Sequence, residues 1–462
     1  MGIGDLEEDG EDAEAGPPQP HHLPGELTVS QAEQVLRYTP YGDHKQGISG
    51  TLFCTNFKVT FITPNRPVNK VSTQRNRLVG ENDIVLNNID TVYQVSHGRR
   101  KKLFPTSGIL GHVKHLEIHC KDFRVHSFSF KFTQKNEAKQ VVNAIVHHAF
   151  PTRLELLFAF DYAGDTTSTE VAPCVPRYKL VEDWETEVER LEAAGYKATL
   201  CNKAFRIASS LPECLVVPRS LDNAVIGEAA PQFVEYRIPV WSYTHPGSGA
   251  SLVRMADTIP EGAHRDVEEK MLSAIALSHI SLKRPVVHDL SKLPVTLSDI
   301  QTSHEKLREL CMPSSRKEML SLDANWFSRL EDTRWISVVA ICLQSALRVV
   351  EDLIDKMLTV VIKEESCSDL APVISCLVQL LVDPACRSLH GFQALVEREW
   401  VALGHHFADR CGLVTSPDTE QCPVFLLFLD CCWQLLQQFP SAFQFSEMYL
   451  AVLWDTCVPR SL

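Results

Sequence analysis

The sequence predicts a two-domain protein of mixed class, an α+β domain with a small β-barrel or sandwich followed by an α/β domain. Three observations lead to this prediction. The length of 462 residues exceeds what one compact core usually holds. Short runs of strand-like alternation fill the first third of the chain and end in one helical segment. Strands then alternate with helices over the remainder, as in α/β domains.

The first 22 residues have the composition of a disordered acidic tail. The chain carries 45 basic and 58 acidic residues, for a formal net charge of −13. Seven of the acids precede Pro17 with no base among them, so more than half of the net charge belongs to this tail. The rest is only mildly acidic, and we expect no nucleic-acid partner.

The cysteine usage predicts a reducing compartment. The 15 cysteines are scattered, without a CxxC pair, and several lie inside apolar runs. The N-terminus is acidic where a signal peptide needs a basic region followed by an apolar one. No apolar stretch reaches the roughly 18 residues of a membrane span. The sequence therefore predicts a cytoplasmic protein without a transmembrane segment.

Residues 23–150 are predicted to form the β-rich domain. Apolar and polar residues alternate along 47–63 around an Asn-centred turn, which indicates a hairpin, and strand-like runs follow. Residues 135–150 then change to helical spacing, with an apolar face.

One dense basic cluster lies between two predicted strands of this domain, in the run 97–102. Such a loop could contact an anionic membrane or a phosphoinositide headgroup. A solvated turn is the alternative. The candidate contact residues are Arg99, Arg100, Lys101 and Lys102.

Residues 151–176 are predicted to be a linker, and 177–462 the α/β domain. Its β-branched run 358–364 suits a central strand, and the following segment places a cysteine where α/β enzymes carry reactive groups. A cysteine phosphatase needs a thiolate, loop amides around the phosphoryl oxygens, an arginine six residues after the cysteine and an acid for the leaving group.

The loop after this strand lacks most of these groups, so no catalytic residue is predicted. Cys367 is followed by Leu370 where glycine would help, by Pro372, which removes an amide, and by Val373 where the arginine should stand. The sequence around it offers no evident cation to lower the pKa of the thiol. The degenerate loop comprises Ser366, Cys367, Ser368, Asp369, Leu370, Ala371, Pro372 and Val373.

No metal or cofactor is predicted. His115, His119 and Cys120 could suggest zinc, but adjacent residues of a strand point to opposite faces, so a solvated strand face is favoured. Neither GxxxxGK[ST] nor GxGxxG occurs, so a nucleotide site has no support.

The C-terminal half strongly resembles the phosphatase domain of the myotubularins, and GISGTLFCTNFKVTF at 47–61 looks like the opening strands of their PH-GRAM domain. The resemblance is collinear over about residues 23–455. The matching landmarks are Arg237-Ile-Pro-Val240, Trp326, Leu330-Glu331, Thr333-Arg334-Trp335, Asp383-Pro384, Gly391-Phe392, Glu399-Trp400, Gly404-His405, Phe428-Leu429-Asp430 and Trp433-Gln434-Leu435.

The resemblance implies a PH-like GRAM barrel at 23–150 and a cysteine-phosphatase-like domain at 177–462. Active members carry the loop His-Cys-Ser-Asp-Gly-Trp-Asp-Arg-Thr, of which this chain keeps the Cys but not the Gly, Trp, second Asp or Arg. This departure places the chain near the catalytically inactive subgroup that includes the phosphatase adapter protein. The expected partner is then an active myotubularin in a hetero-oligomer, with peripheral localisation on endosomal membranes.

Two alternatives remain open at the level of sequence. One is a residual phosphoinositide 3-phosphatase that uses Cys367 with a displaced base such as Arg387. The other is a scaffold that binds lipid through its PH-GRAM domain alone. The family fold also continues beyond the segment that resembles 425–450, so the phosphatase-like domain is expected to be truncated at its C-terminus.

Overall fold

The computed structural model describes residues 19–41, 46–63, 79–80, 82–96, 99–106, 109, 111–162, 175–259, 264–414 and 420–457. These residues fall into two compact units, one ending at residue 162 and one beginning at residue 175. Most of the predicted acidic tail and the central part of the predicted linker lie outside the described residues.

The first unit contains an antiparallel sheet of eight strands among the described residues, in the order β4-β3-β2-β1-β8-β7-β5-β6. The strands are β1 (Thr28–Tyr38), β2 (Ile48–Thr55), β3 (Lys58–Ile62), β4 (Asp83–Val85), β5 (Ile89–Ser96), β6 (Arg99–Lys102), β7 (His115–Cys120) and β8 (Val125–Ser129).

One helix covers the apolar face of this sheet. The helix α1 (Lys135–Ala149) buries the residues that the spacing predicts, from Ala138 to Val146, in one cluster with side chains of the strands. The predicted hairpin at 47–63 is present as β2 and β3. Strand β1 was not predicted from the sequence, because two register shifts in its pairing with β2 interrupt its two-residue alternation.

The basic run is a strand and not the predicted loop. Arg99–Lys102 forms β6, which pairs with β5 from Ser96↔Arg99 to Tyr93↔Lys102 and lies at one end of the sheet. Four consecutive charged residues can form a strand there because an edge strand is open to water. His97 and Gly98 lie outside the described residues.

The first unit extends past the predicted end of its domain. A short helix, α2 (Phe158–Asp161), follows Pro151 within the segment predicted as linker. The ring of Phe158 stacks on that of Phe57, with the centroids 4.6 Å apart, and is buried. The aromatic contact fixes this part of the segment to the sheet.

The second unit combines two small sheets with a set of helices. Its strands are β9 (Tyr196–Thr199), β10 (Leu215–Pro218), β11 (Val240–Thr244), β12 (Ser251–Ala256), β13 (Val286–Asp289) and β14 (Val360–Glu364). Its helices are α3 (Val181–Arg190), α4 (Asn223–Ala229), α5 (His264–Ala276), α6 (Leu297–Cys311), α7 (Arg316–Asp323), α8 (Trp326–Thr333), α9 (Trp335–Val350), α10 (Leu370–Val382), α11 (Leu389–Val396), α12 (Phe407–Arg410), α13 (Val424–Gln438) and α14 (Glu447–Cys457).

Strand β14 occupies the central position that its β-branched composition predicts. The four-stranded sheet has the order β11-β12-β14-β13, and β14 runs parallel to both of its neighbours. The helix that follows, α10, is buried along its whole length from Leu370 to Leu380, which explains its nearly continuous apolar sequence. The turn between β14 and α10 is likewise buried from Cys367 to Asp369, whereas Glu365 near its start is exposed.

No helix in the described part of the chain is long and apolar enough to cross a membrane.

Candidate functional site

The turn from Glu364 to Leu370 leaves the carboxyl end of β14, where α/β folds place their reactive groups. The main chain of Cys367 has a positive φ of 56°, a conformation that residues other than glycine seldom adopt. The amide of Asp257 on the adjacent strand end donates to the carbonyls of Glu364 and Glu365, both at 3.0 Å. The start of the turn is thus tied to the neighbouring strand.

Two buried arginines bind the main chain of this turn. Arg254 Nη2 donates to the carbonyl oxygen of Cys367 at 2.6 Å, and Arg237 Nη2 donates to the same oxygen at 3.3 Å. Arg237 Nη2 also donates to the carbonyl of Leu403 at 2.7 Å. The expectation that no cation lies near the thiol was therefore wrong, because both arginines are more than 100 residues away in sequence and approach only through β12 and the segment before β11.

The Cys367 thiol is nevertheless unsuited to act as a nucleophile. The residue is 3% exposed. Burial raises the pKa of the thiol above its ordinary value, and the nearby Glu364 adds to this, although Arg254 and Arg237 act in the opposite direction. A thiol with a raised pKa is protonated at neutral pH and is a weak nucleophile.

The amides that begin α10 are bound by a side chain of the same turn. The Glu364 carboxylate accepts hydrogen bonds from the backbone N–H groups of Asp369 at 3.2 Å, Leu370 at 2.7 Å and Ala371 at 3.0 Å. Burial, followed by the neighbouring Asp369, raises the pKa of this carboxyl, whereas the three amide bonds oppose the rise. These are amides of the kind that cradle phosphoryl oxygens in a phosphate-binding loop.

Asp369 is buried and neutralised by a distant arginine. Arg410 of α12 donates from Nε and Nη2 to the two carboxylate oxygens at 2.9 and 2.8 Å. The same guanidinium also contacts the Glu420 carboxylate at 3.2 Å. This bidentate geometry is the strongest form of ion pair that arginine makes with a carboxylate, so Arg410 is already engaged.

His405 supports the turn as a neutral side chain. Its Nδ1 lies 2.7 Å from the carbonyl oxygen of Ser368, so Nδ1 carries the proton and donates it. Burial lowers the pKa of His405 to about 4. The Ser366 and Ser368 hydroxyls are hydrogen-bonded to each other at 2.6 Å.

The position six residues after the cysteine holds an apolar side chain. Val373 is 0% exposed and lies within α10, as do the buried Ala371 and Pro372. The proposed substitute base Arg387 lies at the opposite end of this helix, where its Nη1 donates to the carbonyl of Leu380 at 2.6 Å. A helix of 13 residues is about 20 Å long. This position does not support the alternative in which Arg387 serves Cys367 as a displaced base.

A buried polar network behind the turn holds Arg254 in place. Arg254 Nη1 contacts the carboxylate of Glu399 at 3.0 Å, and that carboxylate also accepts from Ser242, Ser375 and Gln379. Burial alone would raise the pKa of Glu399, but Arg254 and Arg398 hold it below its ordinary value. The ion pair is thus intact at neutral pH.

Sequence reasoning identified part of this arrangement. Arg237, Glu399 and His405 belong to the quoted landmarks, and the fold brings all three around the turn. Arg254 and Arg410 carried no signal, since a single arginine in a strand or a short helix has no distinguishing pattern. The hydrogen bonds between the Glu364 carboxylate and the amides that begin α10 were also not predicted.

The basic strand β6 differs from this turn because all four of its residues are exposed. Arg100 pairs with Glu117 at 2.7 Å, and the Lys102 ammonium lies 5.3 Å from the ring centroid of Phe104. Arg99 and Lys101 form no ion pair within the described residues. Successive residues of a strand point to opposite faces, so Arg99 and Lys101 lie on the same face of β6; these two residues are called the uncommitted pair.

The residues considered for zinc all lie on β7. His119 and Cys120 are both buried, so the predicted solvated face was wrong for them. The reason is that β7 is an inner strand, between β8 and β5. Among the described residues, no group of three or more His, Cys, Asp or Glu side chains could hold a metal ion.

Comparison with known proteins identifies similarity to one family. The model of the myotubularin-like phosphatase domain matches residues 157–294 and 288–459. Human myotubularin-related protein 12 is 36% identical over 449 residues, which are 94% of this chain and 59% of that protein. Human myotubularin-related protein 10 is 34% identical over 466 residues, 95% of this chain and 59% of that protein.

A fish relative shows the same pattern. Myotubularin-related protein 12 of Danio rerio is 37% identical over 447 residues, covering 95% of this chain and 59% of its own length. The chain therefore spans about three fifths of the length of the curated relatives that it matches.

Proposed function

The chain belongs to the myotubularin-related family, and on that premise we propose that it is a catalytically inactive member, a pseudophosphatase that acts as an adaptor or regulatory subunit of an active phosphoinositide 3-phosphatase. The observation that carries this proposal is Val373. Where the active loop has an arginine, this chain has a buried apolar side chain inside α10. Phosphoryl transfer needs a guanidinium there to hold two phosphoryl oxygens.

The other catalytic requirements are also unmet in the degenerate loop 366–373. Leu370 and Pro372 replace the glycine and the acid, so no carboxyl at that position can protonate a leaving group. Each described arginine near the turn is already bound, Arg237 and Arg254 to main-chain carbonyls and Arg410 to a carboxylate. None of them is free to take over the clamp.

The chain keeps the landmark residues of the family fold although the loop 366–373 lacks the catalytic groups, and this combination supports a binding role. The landmark side chains still pack and pair, as where Trp335 Nε1 donates to Asp430 at 2.6 Å. In this proposal, residues 23–150 form a PH-GRAM domain and residues 177–462 an inactive phosphatase domain that associates with an active family member. The protein is cytoplasmic and peripheral on endosomal membranes.

The decisive experiment separates the activity of this chain from that of a partner. The chain is purified from bacteria and, in parallel, by affinity from cells, and both samples are assayed with phosphatidylinositol 3-phosphate. We expect no phosphate release from the bacterial protein. The cellular sample should contain an active myotubularin by mass spectrometry and release phosphate equally with the wild type and with Cys367→Ser.

Two results would contradict the proposal. A bacterial sample that releases phosphate and loses this activity in Cys367→Ser establishes the residual phosphatase. A cellular sample that contains no family member removes the adaptor role.

A second candidate function is lipid binding through the first unit, which the exposed basic strand β6 favours. Anionic membranes attract clustered Lys and Arg side chains by about 1 kcal/mol each. Vesicles containing phosphatidylinositol 3-phosphate should bind the wild type more tightly than a variant with Arg99, Arg100, Lys101 and Lys102 changed to Ala. The control is a variant with three other exposed lysines of the same unit changed to Ala, namely Lys131, Lys135 and Lys139. If the β6 variant binds the vesicles as tightly as the wild type, β6 is not the lipid-binding surface.

A further inference from the structure

We propose that the Glu364 carboxylate is the resident anion of the turn after β14, an intramolecular ligand that fills the amide cradle in place of a tetrahedral oxyanion such as phosphate. The inference goes beyond the proposed function, because neither partner binding nor the loss of the arginine requires an internal ligand. It predicts that the cradle itself is intact and becomes available once this side chain is removed.

The contacts are those of a bound anion, because three N–H donors favour the ionised carboxyl and so oppose the burial and the Asp369 charge that raise its pKa. Three successive N–H groups converge on one carboxylate, with Leu370 donating to Oε1 and with Asp369 and Ala371 donating to Oε2. They begin α10, a helix of 13 residues, so their partial positive charge is reinforced by the helix dipole. Successive N–H groups in such a turn form a concavity that accepts anions.

The side chains around the turn also point to an anion. Arg237 and Arg254 are 2% and 1% exposed and both reach the Cys367 carbonyl. The Nε atom of each has no hydrogen-bond partner within the described residues. Arg254 is already neutralised by Glu399, but Arg237 has no ion pair within the described residues, and a buried guanidinium is costly unless negative charge lies near. Glu364 is one of the charges that Arg237 experiences.

Glu364 itself is held by amides alone. Within the part of the chain that the structure describes, no cationic side chain forms a hydrogen bond or ion pair with its carboxylate. The neighbouring Asp369 raises the pKa of this carboxyl and is itself neutralised by Arg410. The amides are therefore what keeps this carboxylate in the turn.

The next residue provides a matched control. Glu365 carries the same charge one position along the chain, but it is exposed, and within the described residues its side chain binds nothing. Glu364→Ala empties the cradle, whereas Glu365→Ala removes an equal charge and leaves the cradle filled.

The test is calorimetric titration of the whole chain with inorganic phosphate at pH 7.5. We expect Glu364→Ala to bind phosphate at least tenfold more tightly than the wild type, and Glu365→Ala to behave like the wild type. At ten times its dissociation constant, phosphate should raise the melting temperature of Glu364→Ala by about 2–4 °C. A folded Glu364→Ala that binds no more tightly than Glu365→Ala overturns the proposal, as does a wild type that binds as tightly as Glu364→Ala.

Glu364→Gln covers the case in which the alanine variant does not fold. The carboxamide fills the same space but offers the amides one neutral acceptor oxygen. Hydrogen exchange at Asp369, Leu370 and Ala371 should become at least tenfold faster than in the wild type, with no change in Glu365→Gln. Equal exchange in Glu364→Gln and the wild type overturns the proposal.

These measurements need no partner protein and no lipid substrate. A failure of the Glu364 proposal therefore leaves the adaptor proposal standing, and a missing partner leaves the phosphate titration unaffected.

Discussion

Charged side chains cluster in two regions of this chain, exposed to water in one and largely buried in the other. On β6, four consecutive cations stand in water at the edge of a sheet, and the two on one face have no ion-pair partner among the described residues. Around the turn after β14, Asp369 and Glu399 are buried, and Arg237, Arg254 and Arg410 each bind a carbonyl or a carboxylate. Exposed charge remains free to attract a surface, whereas buried charge is committed to holding the fold.

The same substitution in the two regions should have very different effects on stability. Arg254→Met leaves Glu399 buried without its arginine, so we expect the free energy of unfolding to fall by about 3–5 kcal/mol. Arg99→Met on β6 should change it by less than about 0.5 kcal/mol. Urea unfolding followed by tryptophan fluorescence, which reports the second unit through Trp241 and Trp400, measures the first effect, and far-ultraviolet circular dichroism measures the second. Similar losses for both variants would remove the distinction between the regions.

Acid should weaken the buried region through His405. Burial lowers the pKa of His405 in the fold to about 4, below the value of about 6.5 in an unfolded chain. The unfolded state therefore binds the proton more readily than the folded state. The stability that comes from neutral His405 is fully present above pH 6.5 and is lost as the pH falls toward 4. The loss is at most about 3 kcal/mol.

The pH dependence is measured by unfolding the second unit between pH 7 and pH 4. In His405→Gln this part of the slope should disappear, while His390→Gln, at an exposed position on α11, should keep it. An unchanged slope in His405→Gln would show that other groups carry the acid sensitivity.

The smallest effect distinguishes the two faces of β6. Arg99→Ala with Lys101→Ala removes the uncommitted pair, and we expect a loss of about 2 kcal/mol, or roughly 30-fold, in affinity for anionic vesicles at low salt. Arg100→Ala with Lys102→Ala should cost less, because Glu117 and Phe104 already engage these side chains. Vesicle sedimentation compares the two double variants, and equal losses would show that the strand acts only through its total charge.

The local pattern of residues predicted much of the fold. The hairpin at 47–63, the helix α1 and the central strand β14 follow from periodicity, because each buries one face or is buried throughout. The strand nature of 99–102 could not be predicted, since charge gives no alternation to detect. Strand β1 was hidden by its irregular register.

By itself the sequence determined what the loop after β14 lacks. The identities of Leu370, Pro372 and Val373, at fixed spacing after Cys367, are read directly from the sequence. The tertiary structure alone decided what surrounds that cysteine: the two arginines on its carbonyl, Arg410 on Asp369 and the Glu364 carboxylate on the amides. The first three contacts join residues separated by 41 to 130 positions. The fourth is short in sequence but depends on the turn geometry, and no residue pattern encodes either kind of contact until the chain has folded.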